Sequence, residues 1–234
     1  IARTLADCGA DIGIVYHGAE AKAKALADEI VAKGRRAAIA QADVGEEKSV
    51  FAMRDRVVET LGRPTILVNC AVEQCYPWRS VLEQKLSDYE SQFRSCVLQN
   101  VLMARAFVPG MIEQGKGGRI IGINTECAMQ ARSNQSAYVS GKRGMDGVLR
   151  VLAREVGPHQ ITVNQVAPGW MISDKYRTEN GIERQEAYER DVPLRRRGYD
   201  QDIANAVAFL ASDLAAFVSG QFLSVSGGNV MPTI

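Results

Sequence analysis

The chain is predicted to form a doubly wound α/β domain of the Rossmann type, in which helices cover both faces of a parallel sheet. Two patterns indicate this class. Short apolar segments alternate with longer helix-forming segments along the whole chain, which is typical of β-α-β units. In addition, the segment 64–71 (PTILVNCA) is almost continuously apolar, as a strand buried on both faces requires.

The order of these segments predicts where each element lies. Strands are expected at 10–16, 36–44, 64–71, 117–124, 161–169 and 221–228, and helices at about 19–34, 45–62, 87–115, 135–157 and 200–213. A glycine closes the first of these helices, which is a common way for a helix to end. Residues 173–197 are rich in charge and predicted to be irregular. No repeat or linker divides the chain, so we expect one domain over 1–234.

Composition excludes several classes of function. The 234 residues are 46% hydrophobic and 24% charged, and the formal net charge is +1, so neither nucleic acid nor an anionic membrane is an expected partner. No apolar run is long enough to span a membrane, and the first residues do not look like a secretory signal. The five cysteines lack C-x-x-C spacing and the two histidines are far apart, so no metal site is expected. We therefore expect a cytoplasmic protein with reduced thiols.

A tyrosine and a lysine lie four residues apart in the segment 136–147 (SAYVSGKRGMDG). Tyr138 and Lys142 would leave the same face of a helix, one turn apart. A phenol normally holds its proton until a pH of about 10, and a neighbouring ammonium favours the phenolate. The spacing therefore predicts a proton donor and acceptor, although a surface tyrosine beside a solvated lysine would have the same pattern.

The position of this pair in the predicted fold favours the chemical interpretation. In doubly wound sheets, ligands bind beyond the carboxyl ends of the strands. The loops at this edge are predicted at 16–19, 42–45, 69–80, 124–135 and 167–195, and the helix that carries Tyr138 follows one of them.

Three ordered motifs resemble the short-chain dehydrogenase/reductase family, most closely its β-ketoacyl-carrier-protein-reductase-like members. They are GGRIIGINT with AYVSGK shortly after it, then VLAREVGPHQITVNQVAPGWM, then VPLRRRGYDQDIANAVAFLASDLAAFVSGQFLSVSGG. The resemblance covers essentially the whole chain. It implies that Tyr138 exchanges a proton with the substrate oxygen and that Lys142 holds the nicotinamide ribose and stabilises the tyrosinate. Thr125 stands where the family usually has a serine, and its hydroxyl can still donate to a carbonyl.

The resemblance also implies residues that contact the cofactor. Asp43 and Val44 would meet the adenine ring. Asn69 and Ala71, part of an N-N-A-G stretch in the family, would lie near the cofactor backbone. The turn that would lie against the nicotinamide contains Pro168, Gly169 and Ser173.

Three departures from the family pattern affect this expectation. Val72 replaces a glycine where the backbone approaches the cofactor, and we expect it to crowd the site. Cys96 replaces an asparagine that helps to relay protons to the lysine. The T-G-x-x-x-G-I-G loop, whose amides hold the pyrophosphate, has no counterpart in the sequence. We expect it, together with a first strand, to belong between the strands at 11–16 and 65–70.

The expected cofactor is NADP(H) rather than NAD(H). An acidic residue at the end of the second family strand would bind the ribose diol of NAD and repel a 2′-phosphate. Here that strand ends in Tyr16-His17-Gly18. His17 is therefore a candidate phosphate contact, with an ordinary exposed loop histidine as the alternative.

The expected reaction is hydride transfer between NADP(H) and a carbonyl compound or secondary alcohol, by an assembly that in this family is commonly a homotetramer. The alternative is a non-catalytic relative that keeps the fold for binding or assembly. The residues expected to border the substrate are Tyr76, Trp78, Gln130, Arg132 and Trp170. The segment 174–197 carries mixed charge and does not form a basic docking site for an acyl carrier protein. The sequence does not specify the substrate.

Overall fold

The structure is a computed structural model that describes residues 1–73, 76–173, 177–178, 181–182 and 185–231. Its helices are α1 (Ala2–Asp7), α2 (Glu20–Ala32), α3 (Glu47–Leu61), α4 (Leu86–Gln92), α5 (Gln99–Gln114), α6 (Cys127–Gln130), α7 (Ser136–Val156), α8 (Glu186–Asp191) and α9 (Asp200–Ala211). Its strands are β1 (Ile12–Tyr16), β2 (Ala37–Gln41), β3 (Ile66–Asn69), β4 (Gly118–Ile123), β5 (Ile161–Pro168), β6 (Met171–Ile172), β7 (Arg177–Thr178), β8 (Gly181–Ile182), β9 (Gly198–Tyr199) and β10 (Phe222–Val225).

Parallel strands joined by helices form the centre of the fold. Four strands are hydrogen-bonded in the order β10-β5-β4-β3, and β1 pairs with β2 in a separate parallel ladder. In the central register, Ile120 lies between Leu67 on one side and Val163 on the other. The predicted Rossmann-type parallel arrangement, with a strand in each of the six predicted segments, is confirmed.

The two ladders are not joined by hydrogen bonds within the described residues. β1 and β3 instead form opposite walls of a cavity at the carboxyl edge of the sheet, to which Val15 and Tyr16 contribute from one side and Val68 and Asn69 from the other. This is the place where the family resemblance implies a further strand and a glycine loop.

Helices cover both faces of the strands because successive strand residues point to opposite sides. Ile120 packs in one core with α3, α5 and α7, which contribute Met53, Phe107 and Leu149 among others. Its neighbour Ile121 packs in the second core with α1, α2 and α9. A sheet buried on both faces explains why these strands read as continuous apolar runs.

The helical stretch from Leu86 to Gln114 has a π-helical turn at Phe93–Leu98 between α4 and α5. Its length and apolar composition would allow it to cross a membrane, but just over half of its most apolar window, 56%, is buried inside the protein. Leu102, Met103 and Phe107 are among the buried residues of the first core. The stretch is therefore a core helix of this fold.

One local prediction was incomplete. The segment 173–197 was expected to be irregular, but it contains α8, in which Tyr188 and Glu189 are buried. Burial of these two residues against the rest of the fold explains how a helix forms in a segment whose sequence lacks a clear apolar period. Residues 174–176, 179–180 and 183–184 of this segment lie outside the described part of the chain.

Candidate active site and cofactor cavity

Helix α7 carries the predicted tyrosine and lysine in its first two turns. Lys142 is buried, and its Nζ donates a hydrogen bond of 2.7 Å to the Ile123 carbonyl oxygen at the end of β4. The same Nζ lies 6.0 Å from the centre of the Tyr138 ring. The two side chains therefore share one face of the helix, as the spacing predicts, and the lysine is anchored to the end of the central strand.

Burial, not the lysine, dominates the protonation of this pair. Removal from water raises the pKa of the Tyr138 phenol well above its ordinary value, and an interaction with the Thr125 hydroxyl opposes the rise. Burial also lowers the pKa of the Lys142 ammonium. The charge effect of the lysine that the spacing predicts is thus accompanied by a larger effect of burial, because desolvation disfavours the charged forms of both groups.

Thr125 is held at the end of β4 by a buried amide. Its backbone N–H donates to Asn124 Oδ1 at 2.9 Å, and Asn124 Nδ2 donates to the Lys142 carbonyl oxygen at 3.1 Å and to Gln165 Oε1 at 2.7 Å. Gln165 Nε2 in turn donates to Asp146 Oδ1 at 2.7 Å. One satisfied network thus fixes the threonine against the helix that carries the tyrosine and the lysine.

A cavity of about 540 Å³ lies between β1 and β3, and Thr125, Tyr138 and Lys142 are not part of its lining. Five predicted cofactor-contact residues line it: His17, Asp43, Val44, Asn69 and Ala71. The Asp43 carboxylate accepts the Gly45 N–H at 2.8 Å and so shapes the loop after β2. Asn69 Nδ2 donates to Asn100 Oδ1 at 2.7 Å, whereas Asn69 Oδ1 is buried without a hydrogen-bond partner.

The three predicted nicotinamide-turn residues lie at the end of β5 and are not part of the cavity lining. Pro168 ends the strand, and the Gly169 N–H donates to the Val225 carbonyl oxygen at 3.0 Å. A Cβ at Gly169 would lie 2.7 Å from the Tyr188 hydroxyl and 3.1 Å from the Glu126 carboxylate. Ser173 follows β6 and is half-buried. The structure therefore does not bring these residues together with the other five.

The two departures from the family pattern occupy different places. Val72 lines the cavity and also packs on the first core, so its side chain is partly directed away from the open space. Cys96 is buried in the π-helical turn, where its Sγ lies 3.8 Å from Gln92 Oε1 and its carbonyl oxygen accepts Asn100 Nδ2 at 2.6 Å. Burial raises the pKa of the Cys96 thiol, which makes it a poor proton carrier near neutral pH.

Aromatic side chains border Tyr138. Trp78 stacks with Tyr76 at a centroid distance of 5.2 Å and with Tyr138 at 6.4 Å, with interplanar angles of 28° and 21°. Trp170 makes an edge contact with Tyr188 at 5.4 Å. Gln130 and Arg132 lie at and just beyond the end of α6, half-buried and exposed respectively. Of the predicted substrate-side residues, Tyr76 and Trp78 are thus clustered with the tyrosine.

Some residues of the site were missed by sequence reasoning. Arg94, on the π-helical turn, lines the cavity and donates to the Gly45 carbonyl oxygen at 3.1 Å. Glu73 also lines the cavity. Neither has a local sequence signal, because Arg94 depends on how the π-helical turn meets the loop after β2 and Glu73 depends on hydrogen bonds from Ser91 and Gln92 of α4. Within the described ranges, no group of three or more His, Cys, Asp or Glu side chains is arranged to hold a metal ion.

A doubly wound parallel sheet with a tyrosine–lysine pair at its carboxyl edge defines a class of Rossmann-type oxidoreductases. Residues 1–229 match the family model described as enoyl-(acyl carrier protein) reductase. Together with the relatives below, this match shows that the chain belongs to the short-chain dehydrogenase/reductase family and is an oxidoreductase by descent.

Named relatives share nearly the full length of the chain. It is 36% identical over 232 residues to a 3-oxoacyl-[acyl-carrier-protein] reductase of Staphylococcus aureus, with 99% of this chain and 92% of that protein covered. A blue fluorescent protein from a metagenomic library, solved in complex with NADPH, is 35% identical, with a TM-score of 0.88 and coverage of 99% and 92%. Acetoin dehydrogenase from Enterobacter cloacae is 30% identical, with a TM-score of 0.87 and coverage of 100% and 92%.

Proposed function

We propose that the chain transfers a hydride between NADP(H) and a carbonyl compound or secondary alcohol, with Tyr138 as the proton donor and acceptor. The observation that carries this proposal is the cluster at the end of β4. There a buried threonine hydroxyl interacts with the tyrosine phenol, and the lysine lies one helical turn further on. A substrate oxygen bound to both hydroxyls would be held in one position at the proton donor.

Five residues that the family resemblance implies as cofactor contacts line one cavity between β1 and β3, which supports a cofactor site at this edge of the sheet. The buried Asn69 Oδ1 lacks a partner, so it can accept a hydrogen bond from a ligand hydroxyl or amine. Asp43, Val44, Asn69 and Ala71 would hold the adenosine side, and Pro168, Gly169 and Ser173 the nicotinamide side.

In the reduction direction, NADPH would supply the hydride to the carbonyl carbon. Tyr138 would give its phenolic proton to the carbonyl oxygen, and the Thr125 hydroxyl would donate a second hydrogen bond to that oxygen as negative charge develops. The raised pKa of the buried phenol keeps Tyr138 protonated before the step, which suits a donor. The Lys142 ammonium, close to the ring, would stabilise the tyrosinate left behind.

The preference for NADP(H) is supported by charge at one end of the cavity. His17 follows β1 and no carboxylate stands at the end of that strand. Arg94 lines the same cavity and uses one guanidinium N–H on the Gly45 carbonyl oxygen, which leaves donors for an anion. The Asp43 carboxylate also lies at Gly45, so the support for a bound 2′-phosphate comes from the remaining Arg94 donors and from the end of β1, which has no carboxylate.

The substrate is proposed only as a class. The relatives include an acetoin dehydrogenase and a 3-oxoacyl-[acyl-carrier-protein] reductase, and both names refer to carbonyl or hydroxyl chemistry. The stack of Tyr76 and Trp78 against the Tyr138 ring gives the entrance an aromatic wall. We therefore expect small uncharged ketones and hydroxyketones to be accepted more readily than polyanionic carriers.

A non-catalytic relative remains the second candidate because of Cys96. This residue stands where the family has its relay asparagine, and its raised thiol pKa makes it a poor proton carrier. In addition, Lys142 Nζ donates to the Ile123 carbonyl oxygen, so one of its N–H groups is already used within the protein. A non-catalytic protein would be expected to fold without turning over any carbonyl compound.

The deciding experiment is a fluorescence titration of the purified protein with NADPH and, in parallel, with NADH. It is followed by NADPH oxidation assays with a panel of small ketones that includes acetoin and diacetyl. We expect micromolar binding of NADPH, at least tenfold weaker binding of NADH, and turnover of a ketone. A folded protein that binds NADPH but turns over nothing in either direction would favour the non-catalytic candidate. Binding of NADH alone would contradict the NADP preference.

We further propose a cytoplasmic homotetramer built on the faces of the 86–114 stretch and α7. Phe93 and Val151 are each 56% exposed on these helices, although both are large apolar residues. Light scattering of the eluted protein would test the assembly, and a monomer at micromolar concentration would contradict it.

A further inference from the structure

A second polar cluster lies next to Thr125 and takes no part in the chemistry described above. Glu126 follows the threonine directly and is only 4% exposed. The Tyr188 hydroxyl donates to its Oε1 at 2.9 Å, and Asn229 Nδ2 donates to its Oε2 at 3.0 Å. The Glu126 backbone N–H donates to the Pro168 carbonyl oxygen at 2.9 Å. Both carboxylate oxygens therefore have a donor.

The cluster joins parts of the chain that are distant in sequence. Tyr188 lies on α8, 62 residues from Glu126, and Asn229 lies in the turn after β10, 103 residues away. The Tyr188 hydroxyl also accepts the Trp170 N–H at 2.8 Å, so the turn after β5 belongs to the same cluster. One carboxylate thus connects the end of β4 with the elements on the substrate side.

Close packing at Gly169 indicates that the cluster is a built feature of the fold. Any larger residue there would place its Cβ 2.7 Å from the Tyr188 hydroxyl and 3.1 Å from Glu126 Oε2. Gly169 was predicted from the family resemblance as a nicotinamide contact. In the structure its lack of a side chain makes room for the hydrogen bond between the tyrosine and the glutamate.

The chemistry of the cluster requires a carboxylate. Its two side-chain partners, Tyr188 and Asn229, both act as donors, and an ionised carboxylate is the side-chain group that only accepts. Burial raises the pKa of the Glu126 carboxyl, while the two hydrogen bonds and the charge of Arg132 oppose the rise. A buried network of this kind is stabilising only when every member is satisfied, so the loss of one acceptor affects all its partners.

The cluster reaches an aromatic side chain on the substrate side. The Trp170 ring packs edge-on against Tyr188 at 5.4 Å, and the Arg197 guanidinium lies 5.0 Å from the centre of the same ring. Trp170 is 38% exposed, and this chain of contacts fixes its side chain.

We propose that Glu126 is a positioning residue, whose carboxylate docks α8 and the Trp170 turn onto the threonine end of β4 and so fixes the substrate-side wall. This proposal rests on the proposed function for the identity of the substrate side. The docking itself does not depend on it, because the contacts exist in the protein without ligands. The Glu126 backbone N–H contacts Pro168, a predicted nicotinamide contact, whereas its carboxylate acts through Tyr188 and Asn229.

The test uses Glu126→Met, which removes both acceptor oxygens, and Tyr188→Phe, singly and together, with hydrogen exchange of the α8 amides in the full chain without ligand. We expect each single variant to exchange about tenfold faster at 186–191, and the double variant to exchange no faster than the faster single one, because both changes break the same contact. Tyr89→Phe is the matched control, since it removes a tyrosine hydroxyl that bonds to Ser136 Oγ at 2.6 Å elsewhere. Unchanged exchange in Tyr188→Phe, or additive effects in the double variant, would overturn the proposal.

A rescue variant separates the positioning role from general damage. Glu126→Gln combined with Asn229→Asp exchanges the amide and the carboxylate, so that both hydrogen bonds can form again. We expect exchange at α8 to return to within about threefold of wild type, and the KM for the best ketone to recover with it.

In the Glu126→Gln single variant the KM for the best ketone should rise about tenfold, while the NADPH dissociation constant stays within twofold of wild type. A fall in kcat with an unchanged KM would contradict positioning of the substrate side, and absent turnover in wild type would instead count against the proposed function.

Discussion

The two sides of the sheet edge differ in how completely the chain's own contacts define them. On the catalytic side, Thr125, Lys142 and Asn124 are buried and joined by hydrogen bonds to β5 and α7. On the cofactor side, β1 and β3 face each other across a cavity, without a hydrogen-bonded ladder between them in the described residues. There the buried Asn69 Oδ1 has no partner.

This difference teaches that the proton-transfer geometry and the cofactor site are separable properties of the fold. The catalytic side is positioned by packing and by satisfied amides, so it is organised before any ligand binds. The cofactor side presents groups whose partners are not within the described protein. Changes at Thr125 and at the Tyr138 hydroxyl should therefore alter turnover with little effect on nucleotide affinity.

The largest effect that would sharpen the comparison is expected for Thr125→Val. This change keeps the side-chain volume and removes the hydroxyl that interacts with Tyr138. We expect turnover to fall by about 10²-fold, because one hydrogen-bond donor to the developing oxyanion is lost. Steady-state kinetics with NADPH and the best ketone measure the loss. Thr125→Ser is the control, and it should keep activity within about threefold of wild type.

A smaller effect is expected from a glycine pair on α7. A Cβ at Gly141 would lie 2.8 Å from the Gln92 backbone oxygen, whereas a Cβ at Gly147 would meet nothing within 4 Å. Gly141→Ala should therefore lower the free energy of unfolding by about 1–3 kcal/mol. Gly147→Ala should raise it by about 0.5–1 kcal/mol, because alanine loses less backbone entropy in a helix.

Urea denaturation of both variants measures this pair. Equal effects of the two substitutions would show that the close approach of α7 to the end of α4 is not a tight contact. That outcome would weaken the claim that packing holds Lys142, the residue after Gly141, in place.

The last expected effect is a change of the free energy of unfolding with pH. Burial lowers the pKa of Lys142 below 10.5, so the unfolded chain binds this proton more tightly than the folded protein does. Stability then rises with pH between the lowered pKa and 10.5, by at most about 1.4 kcal/mol per pH unit for one proton. The Lys142→Met variant lacks this trend. We expect wild type to gain stability relative to the variant as pH rises toward 10.5.

Urea denaturation of both proteins at several pH values from 7 to 10 measures the difference between their free energies of unfolding. Most other titrating groups contribute equally to both proteins, so their contributions cancel in this difference. Burial raises the pKa of the Cys70 and Cys96 thiols, whose charges oppose the lowering of the lysine pKa, so their contribution should be checked with the same variants. A difference that shrinks as pH rises would mean that the lysine pKa is raised by a partner, contrary to the structure.

The sequence predicted the parts of the molecule that depend on local pattern. The alternation of apolar segments and helix formers placed strands in all six expected segments, and the four-residue spacing placed Tyr138 and Lys142 on one face of α7. Positions at strand ends placed five cofactor candidates around one cavity. These features follow from periodicity and from the rule that the loops at one sheet edge converge.

The features that the sequence did not predict depend on contacts between distant residues. Tyr188 and Asn229 reach Glu126 from far along the chain, and Arg94 reaches the cavity through the π-helical turn. The raised pKa of Tyr138 was not predicted either, because four-residue spacing indicates the neighbouring charge but not the depth of burial. Burial and pairing are properties of the folded chain.

The most direct test of the account is the substitution Tyr138→Phe, with turnover and NADPH affinity measured on the same preparation. The substitution removes only the hydroxyl, and the phenyl ring keeps the contact with Trp78. The fold and the cavity should therefore be unchanged. The account predicts that turnover falls by at least about 10²-fold while the NADPH dissociation constant stays within threefold of wild type. Activity within tenfold of wild type, at unchanged NADPH affinity, would contradict the assignment of Tyr138 as the proton donor.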